Sequence, residues 1–196
     1  MKSPDAVDAV LMASGFSKRF GNADKLLIPF QGRPLARHTL ELACGLSCFH
    51  RIFFIAATDA VSALARDMPV RILKNERPER GQRESIRLGA LASSADYYLF
   101  FPCDQPGLDR DTVLRLLEAR KPGCIVQPAF QGVPGSPALF SNAFRDELLS
   151  LAPGEHGRDI KRRHPKSLIT VELKRRGPLL DIDNPDMLEN LLTGAL

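Results

Sequence analysis

The chain alternates short, nearly continuous apolar runs with longer stretches whose apolar positions recur every three or four residues. Residues 8–13 (DAVLMA), 51–57 (RIFFIAA), 70–73, 97–101 (YYLFF), 123–127 and 168–173 read as strands. Strands that are apolar throughout, rather than alternating with polar positions, are covered on both faces, as in a parallel sheet between helical layers. Residues 34–46, 59–66, 83–91, 110–119, 144–151, 158–163 and 185–192 carry helical periodicity, with Pro34 and Pro185 suited to first-turn positions. The expected architecture is one doubly wound, Rossmann-like α/β domain over residues 1–196, a mostly parallel sheet flanked by helices. In such folds ligands gather at the carboxyl ends of the strands, so the chemistry is sought just after the apolar runs.

Composition narrows the class. Of 196 residues, 44% are hydrophobic and 26% charged, which excludes disorder as the main state. A chain of this size buries roughly two-thirds of its unfolded surface and needs no disulfide or metal staple. No apolar run reaches the ~18 residues of a membrane span, and the first one, residues 9–13, is too short for a signal peptide core. A cytoplasmic protein without a membrane partner is expected. Cys44, Cys48, Cys103 and Cys124 lack further ligands at zinc spacing and read as buried thiols, the first pair sharing one helical face. The net charge of +4 suits an anionic ligand. The clusters Lys161-Arg162-Arg163 and Lys174-Arg175-Arg176 read as solvated faces able to dock an acidic partner. No aromatics interleave with them, so nucleic acid is not expected.

The loop after the first strand runs Ser14-Gly15-Phe16-Ser17-Lys18-Arg19-Phe20-Gly21-Asn22-Ala23-Asp24-Lys25. Its glycines let backbone N–H groups approach a phosphate, and Lys18, Arg19 and Lys25 can neutralise a triphosphate. Five residues between the glycines, followed by Asn22, rule out a Walker A loop, and no dinucleotide fingerprint is present. The bland alternative is a glycine-rich turn with solvated bases. Residues 81–89 (GQRESIRLG) enter a helix, where Gly81 allows close approach to a base and the Ser85 hydroxyl stands near the helix start; a plain helix N-terminus is the alternative. Asp104 directly follows a strand, between Pro102 and Pro106. A carboxylate held there suits Mg²⁺, which takes one or two carboxylates plus phosphate oxygens and waters, although a turn-capping role is also open. Alternation places Asp181 and Asp183 on one side of an extended segment, and Asp183 or Asn184 could instead cap the last helix.

These elements resemble, in order, the signatures of the MobA-like nucleotidyltransferases, which include the molybdenum cofactor cytidylyltransferases and guanylyltransferases. Residues 11–29 are similar to the family's phosphate loop, with Ser14 for Ala or Gly and Phe20 for Met. Residues 81–89, the Pro102–Asp104–Pro106 element, residues 132–140 (GVPGSPALF), residues 154–159 (GEHGRD) and residues 181–186 (DIDNPD) match further elements. In the fifth, Glu155 stands for Asp and Arg158-Asp159 for Ala-Arg; His156 reads as a hydrogen-bonded loop residue. The resemblance implies the nucleotide-diphospho-sugar transferase type of fold and a nucleotide site made of Ala13, Ser14, Gly15, Arg19, Gly21, Lys25, Gly81, Gln82, Ser85 and Gly89. It implies catalysis by Lys25, Arg19 and Asp104, and Mg²⁺ on Asp104 with Asp183 as second ligand. The reaction implied is attack of an acceptor phosphate on the α-phosphorus of an NTP, with pyrophosphate leaving and no general base needed. Among relatives the acceptor is molybdenum-loaded molybdopterin. Ser14 carries a Cβ, like the Ala of the cytidylyl branch, so CTP is expected over GTP, with a molybdenum hydroxylase as a possible docking partner. The alternatives are a guanylyl- or other nucleotidyltransferase on the same fold, and a non-catalytic nucleotide- or cofactor-binding chaperone.

Overall fold

The computed structural model describes residues 5–15, 20 and 24–193. The elements follow in the order β1 (Val7–Ala13), β2 (Pro29–Phe30), β3 (Arg33–Pro34), α1 (Leu35–Cys44), β4 (Arg51–Ala56), α2 (Asp59–Ala63), β5 (Arg71–Lys74), α3 (Gln82–Ala92), β6 (Tyr97–Pro102) and α4 (Arg110–Glu118). The second half contains β7 (Ile125–Phe130), β8 (Val133–Pro134), β9 (Ala138–Ser141), α5 (Arg145–Leu149), α6 (Gly157–Arg163), β10 (Leu168–Glu172) and α7 (Pro185–Thr193).

The apolar strands build one mixed, mostly parallel sheet in the order β10-β7-β9-β6-β1-β4-β5, with β8 on β7. β1 lies parallel to both β4 and β6, β4 to β5, and β7 to β10. Alternation along β1 explains its continuous apolar character. Ala9, Leu11 and Ala13 face a core with Leu40, Val61 and Leu116 of α1, α2 and α4, while Val10 faces the second core with Ile86, Leu148 and Ile160 of α3, α5 and α6.

Two features differ from expectation. β9 runs antiparallel between β6 and β7, a strand too short to stand out as an apolar run. Gly45 closes α1, so Cys48 lies beyond the helix and is exposed, and it shares no helical face with Cys44. Cys103 and Cys124 are buried as expected. Among the described residues, no helix is long and apolar enough to cross a membrane.

The chain proceeds outward from β1 through β4 to β5, then returns to place β6 on the other side of β1. The strand order therefore reverses between β1 and β6. Loops leaving the two carboxyl ends there diverge and open a crevice, the usual ligand position in doubly wound sheets.

Candidate active site

The crevice is a cleft of about 150 Å³ lined by Ser14, Gly15, Lys25, Gly81, Gln82, Ser85 and Asp104, together with Met12, Leu26, Pro102 and Cys103. Residues separated by up to 92 positions in sequence thus meet where β1 and β6 end. The Asp24 carboxylate accepts from the Leu26 amide at 3.1 Å, and Leu26 is buried, which fixes the turn carrying Lys25. Lys25 Nζ donates to Asp104 Oδ2 at 2.6 Å and to the Ile182 carbonyl at 3.0 Å, and stands 3.6 Å from Asp183 Oδ1. The Ile182 amide donates to the Asp104 carbonyl at 2.9 Å, so residues 181–183 are strapped across the end of β6. Asn184 Oδ1 accepts from the Met187 amide at 2.8 Å and caps α7, which leaves Asp183 at the cleft with half its side chain exposed. Asp181 keeps an exposed edge, but surrounding protein pushes its carboxyl up to about 6. Burial is the main cause; the charges of Asp104 and Asp183 add to it, and a hydrogen bond from Gln105 and the Lys25 ammonium oppose it.

Asp104 Oδ1 is buried and has no hydrogen-bond partner. A carboxylate oxygen left bare beside a paired one is a position for a cation, and two carboxylates, Asp104 and Asp183, form a hard oxygen donor set. No group of three or more His, Cys, Asp or Glu that could hold a metal occurs among the described residues. The donor set therefore suits an ion that keeps waters and substrate oxygens, not one held in an all-protein cage.

A buried hydroxyl–amide network forms the floor. Ser14 Oγ and Ser85 Oγ lie 2.6 Å apart, and Asn75 Nδ2 donates to Ser14 Oγ at 2.9 Å. The Asn75 amide bonds the Ala56 carbonyl at 2.8 Å and its Oδ1 accepts from the Arg77 amide, so the ends of β1, β4 and β5 are tied to the start of α3. Asn75 went unnoticed in the sequence. Its signal was positional: like Asp104, it is a polar residue directly after a strand. Gly81 adopts φ +71°, the left-handed conformation that glycine tolerates, and opens α3 beneath the cleft.

Other foreseen residues are placed elsewhere. Gly89 is not on the cleft: it packs on β1, where an added Cβ would lie 2.4 Å from Val10 Cγ1, so close helix–strand packing accounts for it. The Ala13 side chain belongs to the core on the α1 side. Arg19 and Gly21, with Lys18, lie outside the described residues.

A groove of about 430 Å³ leaves the cleft at Met12 and Gln82 and reaches Ser136, Arg158 and Lys161. These last three also line a larger cleft of about 770 Å³, with Gln105, Gln127, Arg162, Arg176 and Asp181. The basic clusters are thus only partly a solvated face. Burial pushes the Lys161 ammonium down, whereas Arg163 pairs outside with Glu147 and Glu155. The His156 amide donates to Asp159 Oδ2 at 2.8 Å at the start of α6, whereas its ring Nδ1 is buried without a hydrogen-bond partner.

The MobA-like NTP transferase domain matches residues 9–168. The chain belongs to this family. As a MobA-like NTP transferase it is a nucleotidyltransferase, and its sheet and helices have the nucleotide-diphospho-sugar transferase fold. A nucleotidyl transferase from Methanothermobacter thermautotroptrophicus superposes with a TM-score of 0.86 at 18% identity, over 97% of each chain. A Mycobacterium tuberculosis protein solved in complex with manganese superposes with a TM-score of 0.77 at 20% identity, over 97% of this chain and 100% of that one. In sequence, the nicotine blue oxidoreductase of Paenarthrobacter nicotinovorans is 30% identical over 196 residues, 95% of this chain and 96% of the relative. The molybdenum cofactor guanylyltransferase of Shewanella putrefaciens is 31% identical over 117 residues, 59% of this chain and 58% of the relative.

Proposed function

We propose that this MobA-like domain, acting as a single unit over residues 1–196 in the cytoplasm, transfers CMP from CTP to the terminal phosphate of molybdenum-loaded molybdopterin. The observation that carries this reading is the Lys25–Asp104 pair at the junction of a phosphate-sized cleft and a basic groove. An acceptor phosphate oxygen forms the new bond to the α-phosphorus, the α–β bridging P–O bond breaks, and its electron pair leaves with pyrophosphate, giving molybdopterin cytosine dinucleotide. The acceptor phosphate is already ionised near neutral pH, so no base is required of the chain. Ser14, Gly15, Gly81, Gln82 and Ser85 would hold the nucleotide, and Lys25 with Arg19 and Gly21 of the phosphate loop would meet the charge gathering on pyrophosphate. Asp104 and Asp183 would hold Mg²⁺, which supplies charge neutralisation at the phosphates when bound. Gly89 contributes by keeping α3 against β1. The product would pass to a molybdenum hydroxylase docked on the enzyme.

CTP is favoured over GTP because Ser14 carries a Cβ, like the alanine of the cytidylyl branch that this loop resembles. A non-catalytic chaperone has no use for a partly buried Lys25–Asp104 pair in which the second carboxylate oxygen, Oδ1, is left without a partner. One specific observation favours a second reading: the nicotine blue oxidoreductase aligns over nearly the whole chain. The test is pyrophosphate release with Mg²⁺, molybdenum-loaded molybdopterin and each NTP in turn. Release with CTP alone, reduced on the order of 10²-fold or more in Asp104→Asn, is expected. Release with GTP alone would move the enzyme to the guanylyl reaction. No release with any NTP, but turnover of nicotine blue in the presence of a reductant, would favour the second, oxidoreductase reading.

A further inference from the structure

The floor of the cleft between β1 and β6 carries one proton more than its own acceptors take up. Asn75, Ser14 and Ser85 are 1%, 6% and 2% exposed and form a single chain of hydrogen bonds. The sense of that chain is fixed at Asn75. Its Oδ1 accepts from the Arg77 amide at 2.9 Å, so the end turned to Ser14 is the NH₂ group, which donates to Ser14 Oγ at 2.9 Å. Each serine hydroxyl has one proton. One of the two lies in the 2.6 Å contact between the Oγ atoms. Because Ser14 already accepts from Asn75, the other proton has no place within the chain, and neither hydroxyl meets a further acceptor among the described residues. A buried donor left in this way needs an acceptor from outside, and both serines line the cleft beside Gly15 and Lys25. The phosphate loop that residues 11–29 resemble has Ala or Gly where this chain has Ser14. The link from Asn75 through Ser14 to Ser85 therefore comes from this chain's own departure from that signature.

Taking this cleft to be the NTP site, we propose that Asn75 and Ser14 are positioning residues that fix the hydrogen-bond sense of the floor. They leave one hydroxyl proton of the Ser14–Ser85 pair to be given to an acceptor atom of the NTP, on its nucleoside or on its phosphates. Asn75 touches no substrate in this arrangement and acts through the two serines. A carboxylate at position 75 reverses the chain: Ser14 then donates to it, Ser85 donates to Ser14, and no proton is left for the ligand.

Calorimetric binding of CTP and GTP with Mg²⁺ to the full chain tests this, at pH 8 so that a carboxylate introduced at position 75 is ionised. Asn75→Asp keeps the shape of the side chain and its bond from Arg77, but it also adds a negative charge near the phosphates. The Ser14→Ala background separates the two effects, because there Ser85 keeps its proton whatever stands at position 75. The Asn75→Asp penalty for the tighter-binding NTP is expected to be about ten-fold larger with Ser14 present than in Ser14→Ala. Equal penalties in the two backgrounds would trace to charge alone and overturn the inference while leaving the NTP site standing. A wild type that binds neither nucleotide would overturn the NTP site and the inference with it. Inorganic triphosphate, titrated alongside, locates the acceptor: the same excess penalty places it on a phosphate, and an excess confined to the NTP places it on the nucleoside. If Asn75→Asp does not fold, the serines alone decide. Ser14→Ala should bind the NTP about ten-fold more tightly than Ser14→Ala with Ser85→Ala, which has no hydroxyl proton to give; equal binding by these two would overturn the inference.

Discussion

Glu84 sits in the first turn of α3 with 5% of its side chain exposed, a cost that its neighbours offset. The Arg87 guanidinium donates to Oε1 at 2.5 Å and Arg80 reaches Oε2 at 3.5 Å. The Arg87 hydrogen bond holds the carboxyl below its ordinary 4.5, against burial, with the charges of Arg87 and Arg80 helping. The unfolded chain therefore takes up this proton more readily than the folded one. The stabilisation is present above about pH 4.5 and is lost as pH falls through the lower, folded value. Glu84→Gln should lower stability by about 1–2 kcal/mol at neutral pH, both arginines lying near solvent. Urea denaturation should show the gap to wild type narrowing as pH falls below about 4.5; a gap that stays constant would mean shape, not charge, matters at this position. Glu84 was invisible in the sequence as anything but a helix-start acid, whereas Lys25, Asp104 and Ser85 stood out because glycines or prolines next to strand ends marked them. Asn75 had no such neighbours, and a lone asparagine after a strand reads as a turn.

At the scale of elements, Gly89 decides how closely α3 lies on β1. Alanine would gain about 1 kcal/mol of helix propensity there. Its Cβ would nevertheless meet Val10 Cγ1 at 2.4 Å, and Val10 is itself fully buried in the central strand, with no room to retreat. Gly89→Ala is expected to destabilise the protein by a net of about 1–3 kcal/mol. It should also lower kcat/KM by tilting Ser85 away from Ser14. Trimming the partner as well, in Gly89→Ala with Val10→Ala, should cost less than the two single changes summed; strict additivity would mean that the helix had moved without touching Val10. This packing role was mistaken for a nucleotide contact because a glycine within a loop-to-helix element looks the same in either case. The strands of the parallel core were legible because helices on both faces demand apolar residues at every position. β9 was not: with only Ala138–Ser141 it offers too few positions for any period to show, and its antiparallel insertion depends on pairing partners remote in sequence.

Over the whole molecule, the site exists only because the strand order reverses between β1 and β6 and the chain returns to that point near its end. Ile182 is what makes the return stick. It is fully buried in a small cluster with Phe30 and Leu35, apart from the two main cores. Its carbonyl receives Lys25 and its amide holds Asp104. Ile182→Ala removes about 2–5 kcal/mol at a typical buried site, and the low end applies in so small a cluster. Its distinctive effect should be local: with the strap released, Asp183 leaves the cleft and Lys25 loses a fixed partner. Mn²⁺ titration of the nucleotide-free protein should therefore show weaker binding in Ile182→Ala than in wild type at a temperature where both are folded. Leu148→Ala, in the larger second core and remote from the strap, should lower the melting temperature at least as much yet leave Mn²⁺ affinity unchanged. If the two variants lost metal affinity in proportion to stability, the strap would be ordinary core packing, and Asp183 would have no part in holding the ion.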